Sequence, residues 1–261
     1  MYLPASMAFE DLKQRVRPDW RDTLTGILAR ARSLGPQAVL AFDLDSTLFD
    51  NRPRQARILR EYGDARALGL LSACEPHHWE TGWDMRAAMR ACGLGDPDVE
   101  TLFADARAFW QDRFFTSAYC VSDEAIEGAG AFMQAVAATG AQVVYLTGRH
   151  EAMREGTIAC LARCGMVTPP GEGGRVHLVM KPTLKEDDDA FKREAHARLG
   201  RMGTVVAAFD NEPTHANDYR RRFPEATVIH LATDHSGRAV ELLEGIVSVP
   251  HFALEDVTHR A

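Results

Sequence analysis

Read for its apolar and polar positions, the chain contains five short runs that are apolar on both faces. They are AVLAF (38–42), QVVYL (142–146), VHLVM (176–180), TVVAAF (204–209) and TVIHL (227–231). Runs rich in β-branched residues and lacking a polar face predict strands of a parallel sheet covered on both sides. Between them, apolar residues recur at helical spacing. DEAIEGAGAFMQAVAATG (123–140) and HEAMREGTIACLARCG (150–165) run up to a glycine stop, DDDAFKREAHARLG (187–200) opens with acids that suit the helix dipole, and PTHANDYRRRFP (213–224) is bounded by prolines. This alternation of strand and helix predicts a doubly wound α/β sheet.

One interval breaks the alternation. Between the first strand and residue 123, some eighty residues offer helical patterns (PRQARILREYGDARALGLL, HHWETGWDMRAAMRACG, DVETLFADARAFWQDRFF) and no strand. A structureless loop of that length is improbable in a compact domain, so a helical insertion is expected. The expected organisation is a core of residues 1–50 and 120–261 with an inserted helical cap of residues 51–119. Residues 1–35 read as one or two helices packed outside, and GEGG (171–174), which precedes a strand and not a helix, reads as a turn and not a phosphate loop.

Composition narrows the class of protein. Apolar residues make up 46% and charged residues 26% of 261, as in ordinary soluble globular proteins. No apolar stretch approaches the ~20 residues that cross a bilayer. The opening MYLPASMAFEDLKQRVR lacks a basic leader followed by an apolar segment, so a cytoplasmic location is expected. The net charge of −7 disfavours broad nucleic-acid binding. Five cysteines without a CxxC pair read as free thiols in a reducing compartment, with Cys160 and Cys164 packed one helical turn apart.

Ligands of open parallel sheets bind beyond the carboxyl ends of the strands. The first strand ends in Asp43 with Asp45 just beyond, and the second in Thr147, Gly148 and Arg149. The third ends in Lys181, with Lys192 in the first turn of the helix that follows, and the fourth in Asp210 and Asn211. Gathered carboxylates repel, and a hard divalent cation relieves the repulsion; Mg²⁺ favours carboxylate oxygens and water beside a substrate phosphate. In such a setting one aspartate can attack phosphorus and a second can move the proton, while Thr, Arg and Lys hold phosphoryl oxygens.

FDLDST, LTGR, a downstream lysine and FDN, each at a strand end and in that order, resemble the four motifs of the haloacid-dehalogenase-like superfamily. The resemblance spans about residues 36–235 and implies a Rossmann-like core with a cap inserted after the first motif. It implies that Asp43 is the nucleophile and a metal ligand. Asp45 would be the general acid/base and offer its backbone carbonyl to the metal, Thr147 would bind the phosphoryl group, and Asp210 would complete a Mg²⁺ site. An aspartate at position 45 matches the phosphatases of the superfamily and not its dehalogenases. The lysine is either Lys181, in the KP pair common in the family, or Lys192, placed as in phosphatases resembling the polynucleotide 3′-phosphatases; Lys192 is favoured. Those phosphatases also carry an arginine like Arg149 after the phosphate-binding hydroxyl. The fourth motif departs from the pattern, since Asn211 follows Asp210 and Thr214 and His215 stand where a second acid is common. Asn211 then offers a carbonyl oxygen or orients a metal-bound water, with Glu212 behind it.

The expectation is a Mg²⁺-dependent phosphomonoesterase acting on a small phosphorylated metabolite through an aspartyl-phosphate. The alternatives are a phosphotransferase or mutase on the same fold, and a phospho-accepting or phosphate-binding protein without turnover. Arg149, Gly148 and Lys181 are candidate substrate contacts. His77, His78 and Trp79 read as a packed helix start or a pocket mouth, and His150 as a possible rim residue. Phe114, Phe115 and Tyr119 read as hinge packing, and Arg220, Arg221 and Arg222 as a solvated helix end. Oligomeric state is not legible.

Overall fold

A computed structural model describes residues 15–255. Its centre is a six-stranded sheet in which every neighbouring pair is parallel. The main strands are β1 (Ala38–Phe42), β4 (Gln142–His150), β5 (Val176–Lys181), β6 (Thr204–Asp210) and β7 (Thr227–Leu231), and β8 (Val247–Val249) adds an edge. The order β5-β4-β1-β6-β7-β8 places β1 between β4 and β6. All five β1 side chains are buried, because both faces are covered. Ala38, Leu40 and Phe42 join one apolar cluster with Leu24, Phe132 and Leu161; Val39 and Ala41 join another with Leu199, Ala216 and Tyr219.

The five expected strands are all present, and the doubly wound parallel fold is as the pattern predicted. Two features escaped it. β8 is only three residues long, too short for periodicity to register. A second small sheet pairs β2 (Phe49–Asp50) with β3 (Glu124–Ala125) antiparallel, where the chain leaves and rejoins the core. This pairing shortens the helix expected from residue 123. That helix runs over Ala129–Ala137, after Gly128 at φ 75°. Within the expected N-terminal helices, α1 (Trp20–Leu34) buries Trp20, Leu24, Ile27, Leu28 and Ala31. The remainder of that expectation, residues 1–14, lies outside the described residues.

The interval after β1 is helical: α2 (Arg52–Arg66), α3 (Gly69–Ser72), α4 (Met85–Ala91), α5 (Asp96–Phe114) and α6 (Ser117–Cys120). It has its own apolar cluster, which includes Leu59, Tyr62, Leu71, Trp79, Met89 and Val99. Each such fully buried large side chain contributes roughly 1.5–3 kcal/mol, so the inserted helices are held by an apolar cluster of their own. The cap's return is packed tightly. A Cβ on Gly156 would lie 1.9 Å from the Ser117 carbonyl oxygen, so only glycine lets α6 meet α8 (Arg154–Arg163). Completing the set are α7 (Ala129–Ala137), α9 (Asp188–Met202) and α10 (Pro213–Arg222). Among the described residues no helix is long and apolar enough to cross a membrane.

Candidate active site

The strand ends and the cap enclose a cavity of about 450 Å³. The chain enters it from β1, where the Asp43 amide donates to the Phe209 carbonyl and fixes the end of the strand (2.9 Å). A tight turn follows, with the Leu44 carbonyl accepting from the amides of Thr47, Leu48 and Phe49. Ser46 takes the left-handed conformation there (φ 56°), a cost of order 1–3 kcal/mol for a non-glycine residue. The turn brings Asp43, Asp45 and Ser46 onto one wall of the cavity.

Lys192 is the centre of the deep end. Its Nζ donates to Asp43 Oδ1 and to Asp210 Oδ2, each at 2.8 Å, and lies 3.2 Å from His215 Nδ1. All four residues are buried. Burial raises the Asp43 carboxyl to about 7; Lys192 opposes this, and the nearby Asp210 and Asp45 charges reinforce it. Burial also acts on Asp210, but Lys192 and then His215 outweigh it and hold that carboxyl well below the ordinary range. Burial disfavours charge on Lys192 as well, yet Asp210 and Asp43 keep its ammonium firmly protonated. The buried charges therefore occur as mutually satisfied partners, as desolvation requires.

Asp45 is held differently. Arg149 grips it side-on, with Nε 3.0 Å from Oδ2 and Nη2 2.6 Å from Oδ1, and Arg54 Nη2 adds a third contact at 3.0 Å. Behind both arginines lies Asp123, fully buried. It accepts from Arg54 Nε at 2.7 Å, Arg54 Nη2 at 2.9 Å and Arg149 Nη2 at 2.6 Å. Burial would raise the Asp45 carboxyl, but Arg149 first and Arg54 next hold it far below the usual range.

The expected site residues thus separate. Asp43, Lys192 and Asp210 converge directly, and Asp45 shares their wall. Lys181 does not join them: its ammonium is turned to Asp188 and the Glu186 carbonyl. Arg149 lines the cavity, but its donors go to Asp45, Asp123 and Thr157, so the guanidinium expected to hold a phosphoryl group is committed to carboxylates. Thr147 is fully buried and its Oγ1 accepts from the Arg149 amide; Gly148 faces the cavity beside Asp188. Asn211 meets Thr47, whose Oγ1 accepts from the Asn211 amide and lies 3.1 Å from Asn211 Oδ1 and 3.3 Å from Asp43 Oδ2. Glu212 accepts from the Ser236 amide and lies 3.4 Å from Arg238 Nε.

Sequence reasoning missed Arg54, Asp123, Thr47 and the role of His215. Arg54 and Asp123 lie 69 positions apart and belong to no spacing pattern, so only the fold reveals their contact. Trp79 is buried in the cap cluster and His77 is exposed, while Glu80 and Trp83 line the cavity in their place. Phe114 and Phe115 line it too; Tyr119 instead donates to Glu61. Arg221 pairs with Asp218 at an exposed helix end. The five cysteines are free thiols. Despite the absence of a CxxC pair, Cys74, His78 and Cys92 bring ligand atoms within 4.8 Å of one another, although His78 Nδ1 already accepts from the Glu75 amide at 2.8 Å.

The fold is a doubly wound parallel α/β sheet with an inserted helical cap. Solved structures similar to the chain include three proteins. A haloacid-dehalogenase-like family protein from Streptococcus pneumoniae has 7% identity, covers 82% of this chain and 93% of its own, and gives a TM-score of 0.47. Protein tyrosine kinase A of Mycobacterium tuberculosis has 16% identity, coverage of 82% and 94%, and a TM-score of 0.49. CbbY from Rhodobacter sphaeroides, in complex with phosphate, has 15% identity, coverage of 84% and 95%, and a TM-score of 0.46. No family model and no curated protein sequence matches the chain.

Proposed function

We propose that the protein is a Mg²⁺-dependent phosphomonoesterase that hydrolyses a small phosphorylated metabolite through a phosphoryl group carried on Asp43. The observation that carries this reading is the Lys192 ammonium bridging Asp43 and Asp210, with Asp45 on the same cavity wall. Asp43 lies at the end of the central strand and has one carboxylate oxygen on the lysine. Among the described residues the other oxygen receives a long contact from Thr47 Oγ1 at 3.3 Å, which leaves it open to act as nucleophile or ligand.

The donor set suits a hard cation. Asp43, Asp210, the Asn211 carboxamide and the Asp45 main-chain carbonyl are all oxygen donors, and the Asp43 and Asp210 carboxylates meet at one buried point. These four residues would hold Mg²⁺, which when bound supplies neutralisation of the carboxylates and polarisation of phosphoryl oxygens. The protein's own groups do the rest. Asp43 displaces the alkoxide, Lys192 stabilises charge on the transferred group, and Asp45 delivers a proton to the leaving oxygen. Asp45 then takes a proton from the attacking water, and phosphate leaves. The cap restricts water during transfer and selects the ester. The protein works in the cytoplasm on this reading.

The test is phosphate release from p-nitrophenyl phosphate with Mg²⁺, wild type against Asp43→Asn. Turnover in the wild type and none in the variant is expected, with unchanged circular dichroism. Wild-type-like turnover by the variant would remove Asp43 from the chemistry. Release that rises when an acceptor alcohol is added, with phosphate transferred to it, would favour the phosphotransferase alternative.

A further inference from the structure

Among the described residues Trp83 is the most exposed large apolar side chain, at 65%. It lines the cavity, yet its backbone is fixed. Asp234 accepts from Thr81 Oγ1 at 2.6 Å and from the Gly82 amide at 2.7 Å, Gln55 donates to the Gly82 carbonyl at 3.0 Å, and the Trp83 amide donates to Thr81 Oγ1 at 3.2 Å. A Cβ at position 82 would crowd Asp234 and Gln55, each at 3.1 Å, so the loop sits close against both. Gln55 is oriented in turn by the Trp110 indole N–H, at 2.5 Å. The same cavity is lined by Trp110 stacked on Phe114 (4.5 Å between ring centres), with Phe115 edge-on to both. An indole on a pinned loop, 65% exposed and lining a charged cavity, is an apolar face held in place and open to a ligand.

We propose that this aromatic cap wall is a stacking subsite for a nucleobase, so that the phosphoester taken is a nucleoside monophosphate; this rests on the phosphomonoesterase reading above. A planar ring matches flat indole and phenyl faces, and stacking does not require the base to be read edge by edge. Glu80, which lines the same cavity, offers a carboxylate acceptor to an exocyclic amine. The cavity volume suits one nucleotide, and a chain of net charge −7 has no general attraction for a polynucleotide backbone.

The test compares adenosine 5′-monophosphate and adenosine 3′-monophosphate with ribose 5-phosphate, which keeps sugar and phosphate and lacks the base. At least one adenosine phosphate is expected to exceed ribose 5-phosphate roughly tenfold in kcat/KM. Trp83→Ala should erase that advantage through KM, costing the adenosine phosphates far more than ribose 5-phosphate, and Trp83→Phe should retain most of it. Equal kcat/KM for all three esters, or a Trp83→Ala variant that keeps the preference, overturns the subsite. Calorimetric binding of the same compounds to Asp43→Asn separates the two claims. Adenosine phosphates binding more tightly than ribose 5-phosphate, in a Trp83-dependent way, uphold the subsite even if no ester turns over; equal binding sinks it. A 3′-phosphorylated oligonucleotide preferred over both mononucleotides would reject the mononucleotide assignment.

Discussion

Replacing Asp123 with Asn should be the most destabilising isosteric change at the rim. Asp123 is fully buried and receives three hydrogen bonds of 2.6–2.9 Å from two arginines whose side chains are 0% and 2% exposed. In the wild type the two guanidinium charges face two carboxylates, Asp45 and Asp123. The amide removes one negative charge and turns an N–H₂ group towards arginine donors. Removing one partner of a buried pair costs about 3–5 kcal/mol, a large part of the ~5–15 kcal/mol that holds a typical domain folded. The measurement is urea unfolding at neutral pH, followed by fluorescence. A second variant isolates the electrostatic cause. Arg54→Met alone leaves two carboxylates against Arg149; combined with Asp123→Asn it leaves Arg149 facing Asp45, one charge of each sign. The double variant should therefore lose less than the sum of the single losses, by about 1–3 kcal/mol. Strict additivity, or a loss below about 1 kcal/mol for Asp123→Asn, would show that the network is not held by mutual charge compensation.

Three further expectations follow from the same geometry. Lys192→Met should reduce phosphate release by about 10²–10³-fold while Lys181→Met changes it only a few-fold, because Lys181 is turned to Asp188 and not to Asp43; the reverse order would hand the role to Lys181. Burial lowers the His196 pKa from 6.5 to about 4, with its ring against Tyr219. The unfolded chain then takes up the proton first as pH falls, so up to about 3 kcal/mol of stability present above pH 6.5 is lost between about 6.5 and 4; His196→Phe should flatten that part of the stability–pH curve. Asn211→Asp should lower the Mg²⁺ concentration for half-maximal turnover several-fold by adding a carboxylate to the donor set, and an unchanged midpoint would place residue 211 outside it.

The core strands were legible because a strand buried on both faces writes its whole length in apolar residues, as Ala38–Phe42 does. Strand ends then singled out Asp43, Asp45 and Asp210, which the fold brings to one end of the sheet with Lys192, and Thr147, which is fully buried there. What the sequence hid was the direction of the long cationic side chains. Arg149 and Lys181 both stand near strand ends, yet one turns to Asp45 and Asp123 and the other to Asp188. A flexible stem reaches several angstroms, so position along the chain does not fix the partner. Asp123 lies just before a two-residue strand pairing, and Trp83 lies in a loop pinned by Asp234, 151 positions later in the chain. Both are products of how cap and core meet, which local periodicity does not encode.

That meeting has a chemical consequence for Asp45. An acid that protonates an alkoxide must itself carry a proton, yet Arg149 from the core and Arg54 from the first cap helix both hold Asp45 ionised. For the reaction proposed above, the resting carboxylate would be prepared for the second half, taking a proton from water, and poorly prepared for the first. On the reading proposed above, a phosphoryl dianion entering the cavity would compete for the same guanidinium groups and relax their hold, so that substrate binding would let Asp45 accept a proton. Removing Arg54 takes away one of the two charges that depress this carboxyl. The alkaline limb of kcat/KM for an alkyl phosphate should therefore move to higher pH in Arg54→Met. With p-nitrophenyl phosphate, whose leaving group departs without protonation, the limb should stay where it is. A limb that stays fixed for both esters, or shifts equally for both, would mean that Arg54 orders the cap without governing the proton on Asp45.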